Sequence, residues 1–180
     1  PRSTLNATRR QRQMCIRDSI PPDRELPVGG AVSGGWMKTV RQVLDDKGHE
    51  IFDIGPDALV YDALGEMAYR NVGALLVRDG DEIVGIISER DYARKVILKE
   101  KASKHTPVRE IMSPAVVCVG PDQRVDGCMA LMSDRRIRHL AVVDQGRAIG
   151  VISIGDVVKA IIDQQRMTIA QLEHYITGGR

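Results

Sequence analysis

The stretch "GVISIGD", residues 150–156, returns almost letter for letter as "GIISERD", residues 85–91. In both, an apolar run stops at a serine and an aspartate follows three positions later. Residues 55–98 slide onto 120–163 by a shift of 65 without a gap, and 14 of the 44 pairs are identical. Gly55-Pro56-Asp57 falls on Gly120-Pro121-Asp122, Met67 on Met132, Asp79 on Asp144, Gly85 on Gly150, and Ser88 and Asp91 on Ser153 and Asp156. Upstream, "VRQVL" at 40–44 matches "VREIM" at 108–112 once a three-residue insertion is allowed. The period exceeds the roughly 20–50 residues of solenoid repeats and occurs only twice, so the chain holds a duplicated small domain.

Each copy spells the same elements. A short helix is followed by an extended stretch ("EIFDI", "AVVCV") and a Gly-Pro-Asp turn, which is expected to open a helix with proline in its first position. Val60, Leu64, Met67 and Ala68 then recur at helical spacing, as do Val125, Cys128, Met129 and Met132. Two apolar runs separated by a few polar residues read as a hairpin. A closing helix is expected over about 91–99 and 156–165. A unit of about 60 residues is marginal alone. Two units that bury their sheets against each other about a pseudo-twofold axis remove the difficulty and create paired clefts, where ligands commonly sit.

Composition limits what such a protein can do. The 43% hydrophobic content supports a real core, and the 3% aromatic content provides almost no platform for stacking bases. Residues 1–36 carry six Arg against three acids, leaving 20 Lys or Arg against 21 acids in the rest, a balance that argues against a general nucleic-acid surface, which would show as a basic stripe. No apolar run approaches the ~20 residues of a membrane span, and no secretory pattern opens the chain. These features imply a cytoplasmic protein that engages neither nucleic acid nor membrane. Cys15, Cys118 and Cys128 form no C-x-x-C and no His-partnered cluster, so neither a disulfide framework nor a metal site is expected; Cys118 and Cys128 read as small core residues.

Residues 1–36 show no sustained period and are rich in Pro and Gly. "RQRQMCIRDS", residues 10–19, resembles translated sequencing-adapter sequence. The segment is read as a disordered or artefactual N-terminal extension, with Met37 a natural start; a basic tail and a targeting arm are the competing readings. The remaining divisions are 37–102, 103–165, and a C-terminal amphipathic helix over 166–180, where Ile169, Leu172 and Ile176 recur at helical spacing.

The β-α-β-β-α order, the two "GVISIGD"-type signatures and "RIRHLAVVD" resemble the cystathionine β-synthase (CBS) domain family, over about residues 37–165. The tandem pair resembles a Bateman module of the stand-alone bacterial kind. The resemblance implies an α+β fold of two CBS domains, one over 37–102 and one over 103–165, and a non-catalytic module that senses an adenine nucleotide. AMP is the expected ligand; NAD(H), ADP, ATP and S-adenosylmethionine share its adenosine.

Two readings of Ser-x-x-Asp stand side by side. The serine can cap a helix while the acid favours the positive end of its dipole. Alternatively Asp156 and Asp91, with Ser153 and Ser88, receive the ribose hydroxyls, as the resemblance implies. Phosphate would be gripped by Arg138 with Arg136 and His139; the first copy has Gly73 and Ala74 where Arg138 and His139 stand, and only Arg90 and Arg94 nearby. By resemblance the base lies around Val116 in one cleft and Ile51 in the other. The implied partners are the nucleotide, a second copy in a homodimer, and an effector protein. An enzyme finds no support, since neither a G-x-x-x-x-G-K-[ST] nor a catalytic triad pattern appears. A purely structural module with degenerate clefts is the remaining alternative.

Overall fold

Both repeats fold as β-α-β-β-α in a computed structural model, whose described residues are 15–16 and 37–177. The reading of residues 1–36 as an extension lies outside the described residues, apart from a two-residue strand β1, Cys15–Ile16. Helix α1, Val40–Lys47, leads into β2, Asp53–Ile54; α2, Val60–Arg70; β3, Ala74–Asp79; β4, Glu82–Ser88; and α3, Glu89–Lys95. The second repeat follows with a 3-10 turn at Val108–Glu110, then β5, Val116–Val119; α4, Val125–Arg135; β6, His139–Asp144; β7, Arg147–Ser153; and α5, Ile154–Thr177.

Local chemistry sets these boundaries. Thr39 caps α1 in a capping box with Gln42, and Gly48 ends that helix at φ 105°. Helices α2 and α4 each end on a left-handed residue, Asn71 and Arg136, 65 positions apart. The Gly-Pro-Asp segments do not open these helices. They form turns closed by Ala58 N–H to the Gly55 carbonyl at 3.2 Å and Gln123 N–H to the Gly120 carbonyl at 3.2 Å, with helix starting only at Val60 and Val125. Proline's fixed φ suits the second position of a turn as well as the first of a helix.

In the first sheet the order is β2-β3-β4. Strand β2 runs parallel to β3 and β3 antiparallel to β4, with a bulge between Val77 and Arg78. The second sheet holds β1, β5, β6 and β7. The chain divides into two compact units. One takes Glu50–Cys118 with Gln145–Arg147; the other takes Val119–Asp144 with the described parts of the flanking segments, 37–49 and 148–177. The units therefore exchange the leading segment of each repeat. In the first unit, Val108 N–H and Arg109 N–H donate to the carbonyls of Ala58 and Pro56, each at 2.9 Å. In the second, Val40 N–H and Arg41 N–H donate to Gln123 and Pro121 at 2.9 and 2.8 Å. These are the same bonds, related by the sequence repeat.

The first unit's core gathers Val60, Met67, Leu75, Val77, Ile87 and Ile111. Leu44, Met132, Leu140 and Ile152 are fully buried in the second. Cys128 is buried as a free thiol, and that burial, with the nearby Asp126, pushes its pKa up to about 12. Cys118, in contrast, enters a disulfide, and the sequence signalled this poorly because no spacing motif accompanies it. The expected tail helix is the second half of α5, which runs unbroken through residue 177 because no proline, and no glycine after Gly155, interrupts it.

Candidate functional site

Strands β4 and β7 deliver Ser88 and Ser153 to the starts of α3 and α5. Both Ser-x-x-Asp motifs close as capping boxes. Asp91 Oδ2 accepts from Ser88 N–H at 3.1 Å and Ser88 Oγ at 2.6 Å, while Ser88 Oγ accepts from Asp91 N–H at 3.4 Å. Asp156 Oδ2 accepts from Ser153 N–H at 2.7 Å and Ser153 Oγ at 2.8 Å, with Asp156 N–H returning to Ser153 Oγ at 3.2 Å. Helix capping is therefore realised in both copies. The carboxylates are not sealed off: the Asp91 and Asp156 side chains retain 15% and 23% exposure.

The two copies differ in the cation that meets the acid. Lys95 Nζ lies 2.7 Å from Asp91 Oδ1, one helical turn along α3, and also donates to the Ile111 carbonyl at 2.7 Å. Ser113 Oγ donates to Asp91 Oδ1 at 3.3 Å. At Asp156 the cation arrives from α1: Lys47 Nζ is 2.7 Å from Oδ2 and 2.9 Å from the Val151 carbonyl. Burial pushes the Asp156 carboxyl up, but the Lys47 ammonium and the Ser153 N–H and O–H outweigh it and hold the acid below its ordinary value. Lys95 is legible as an i,i+4 partner. Lys47, 109 positions from Asp156, has no local signal.

The other expected residues fall in several places. The Arg138 carbonyl accepts from Ile154 N–H at 2.8 Å, which fixes this exposed residue's backbone against the head of α5 beside Ser153 and Asp156. Gly73 does the same for Glu89 N–H at 3.2 Å, without a side chain to offer. Arg136 is exposed at its left-handed position, and His139 opens β6 half-buried. Arg90 is half-buried and Arg94 exposed on α3. Ile51 is half-buried just before β2, and Val116 is buried at 4% exposure in β5. Among the described residues no cluster of His, Cys, Asp or Glu could hold a metal ion, and no helix is long and apolar enough to cross a membrane.

A tandem α+β duplication with a capped aspartate at the head of each closing helix defines the class, and the CBS domain model matches residues 42–98 and 108–163. The chain belongs to the CBS-domain family. A mitochondrial CBS domain-containing protein of Arabidopsis thaliana is 44% identical over 156 residues, covering 82% of this chain and 76% of its own. A putative signal-transduction protein with CBS domains from Burkholderia ambifaria is 53% identical with a TM-score of 0.69, covering 71% of this chain and 96% of that one. A CBS domain pair solved in complex with 5′-methylthioadenosine and S-adenosyl-L-methionine shares the fold, with a TM-score of 0.62 at 22% identity, over 71% of this chain and 98% of that one. CBS-pair proteins are generally regulatory modules.

Proposed function

We propose that this chain is a non-catalytic sensor of adenine nucleotides, AMP foremost, which reads its ligand at the head of α5 and passes the bound state to a separate effector protein. In this reading Asp156, beside Ser153, receives the ribose hydroxyls, and Arg138, with Arg136 and His139, receives the phosphate. Asp91, with Ser88, serves a second and weaker site flanked by Arg90 and Arg94; Val116 and Ile51 support the bases. One observation carries the reading: a partly exposed carboxylate, held ionised, lies beside the chain segment that bears Arg138. The solved CBS pair with two adenosine-containing ligands supports the choice of adenosine. The basic group at 136, 138 and 139 favours a phosphorylated ligand over the cationic sulfonium of S-adenosylmethionine. A homodimer in the cytoplasm completes the proposal, with the Arabidopsis relative's mitochondrial location as the alternative seat.

The completed capping boxes favour a second reading, a purely structural module with degenerate clefts. A thermal-shift screen with AMP, ADP, ATP, NADH and S-adenosylmethionine separates the two. It should use wild type, Asp156→Asn and Asp91→Asn, because asparagine keeps an oxygen for the cap and loses the charge. A ligand at about 100 times its dissociation constant adds about 2.7 kcal/mol, a rise of several degrees. AMP is expected to raise the wild-type midpoint with or without a chelator, and Asp156→Asn to abolish the rise. If no nucleotide shifts the midpoint, the structural reading stands. Loss on Asp91→Asn alone reverses the order of the two sites.

A further inference from the structure

Helix α5 changes character along its length. Val157 and Ala160 are buried, and this first part packs on α4. From 165 to 176 every residue is exposed. That exposed half is not uniformly polar. Positions 162, 165, 169, 172 and 176 alternate steps of three and four, the a/d rhythm of a coiled coil, with Ile162, Ile169 and Ile176 at a and Gln165 and Leu172 at d. Ile169, Leu172 and Ile176 stand 56%, 58% and 79% exposed. A helix of a dozen residues has little stability in water by itself, and packing of its apolar face normally supplies the rest.

The charges beside the seam identify the partner. Arg166 and Glu173 both occupy e positions. In a parallel pair e faces the other helix's g positions, which here are Ile161, Thr168 and Tyr175, all uncharged. In an antiparallel pair e faces e. Setting Ile169 against the partner's Leu172 then brings Arg166 opposite the partner's Glu173, and symmetry repeats the match. A heptad seam that is self-complementary in both shape and charge is the mark of association with its own kind. We propose that residues 165–176 dock antiparallel on the same segment of a second copy of this chain. The proposal is independent of the nucleotide reading and rests on the homodimer proposed above only in giving it an interface.

The test is sedimentation equilibrium of the full chain over two decades of concentration. Wild type is expected to dimerise reversibly and weakly, as befits so short a seam. Leu172→Asp should be monomeric throughout with the thermal midpoint of the body unchanged, since this side chain is exposed. Arg166→Glu and Glu173→Arg should each weaken the dimer roughly fivefold, and the double exchange should restore it. A wild type that stays monomeric assigns the seam to a different partner and overturns the proposal. A dimer that survives Leu172→Asp uses another face and overturns it equally. Single exchanges without effect, or a double exchange that fails to rescue them, overturn the antiparallel arrangement.

Discussion

Asp156 shows how one contact can serve two ends. Its Oδ2 collects the Ser153 N–H, the Ser153 hydroxyl and the Lys47 ammonium, so the same oxygen caps α5 and ties that helix to α1. Burial disfavours the charge, and the three donors more than offset it, which places the folded carboxyl below the ordinary value of 3.8. A depressed carboxyl contributes its full stability above 3.8, and the contribution disappears as pH falls through the folded value. In Lys47→Met the burial is left less opposed, so the carboxyl rises. Because the Lys47 side chain is 37% exposed, solvent screening limits the loss to about 1 kcal/mol at neutral pH. Thermal midpoints of wild type and Lys47→Met should differ near neutrality and converge as the pH falls below 3.8 and through the folded value. A gap of unchanged size in acid would show that the lysine acts through its methylene stem instead of its charge.

At the scale of elements, each exchanged segment has a seat that only glycine leaves open. A Cβ on Gly150 would stand 2.6 Å from Leu44 Cδ2 and 2.9 Å from its Cδ1; one on Gly85 would meet Met112 Sδ at 2.8 Å and the Ser113 carbonyl at 3.0 Å. Leu44 and Met112 are the same position of the two leading segments, as Gly150 and Gly85 are of the two strands. Gly150→Ala should therefore cost about 1–3 kcal/mol through overpacking. Leu44→Ala should cost about 2–5 kcal/mol through a cavity. Chemical denaturation of both and of the double variant tests the pairing: the double should lose less than the sum by more than about 0.5 kcal/mol, and strict additivity would refute the contact. The sequence announced both glycines as partners in the repeat but not what they accommodate. Helices α2 and α4, both hairpins and the Ser-x-x-Asp caps are written in local spacing and fell where it put them. The closing helix expected over about 91–99, in contrast, ends at Lys95 and gives way to a 3-10 turn at Ile97–Lys99. The Leu44 seat and the Lys47 bridge join residues about 100 apart, which no local period encodes. The one trace was the three-residue insertion that breaks the 65-residue register between the leading segments and the rest of each repeat.

On the scale of the whole molecule, the exchange means that sequence repeats and compact units are not interchangeable. Residues 38–47 precede the first repeat's strands yet complete the unit that contains β6 and β7. They bring Val40 and Leu44, both fully buried, and the backbone bonds from Val40 and Arg41 to Gln123 and Pro121 and from Val125 to the Lys38 carbonyl. They also bring Lys47 to Asp156. A chain beginning at Met37 keeps all of these, although it lacks β1 and its pairing with β5. One beginning at Glu50 loses three core side chains, Val40, Val43 and Leu44, at about 2–5 kcal/mol each for the larger of them. It also strips partners from backbone groups. Together these losses approach or exceed the ~5–15 kcal/mol that holds a typical domain. The first unit, whose own exchanged segment at 108–112 is untouched, loses none of these contacts. Hydrogen exchange on the chain starting at Glu50 should thus find protection gone from α4 and β6 and substantially kept in β3 and β4. Equal loss in both sets of amides would mean that the leading segment sustains the protein as one cooperative body, and the division into units would then have no energetic counterpart.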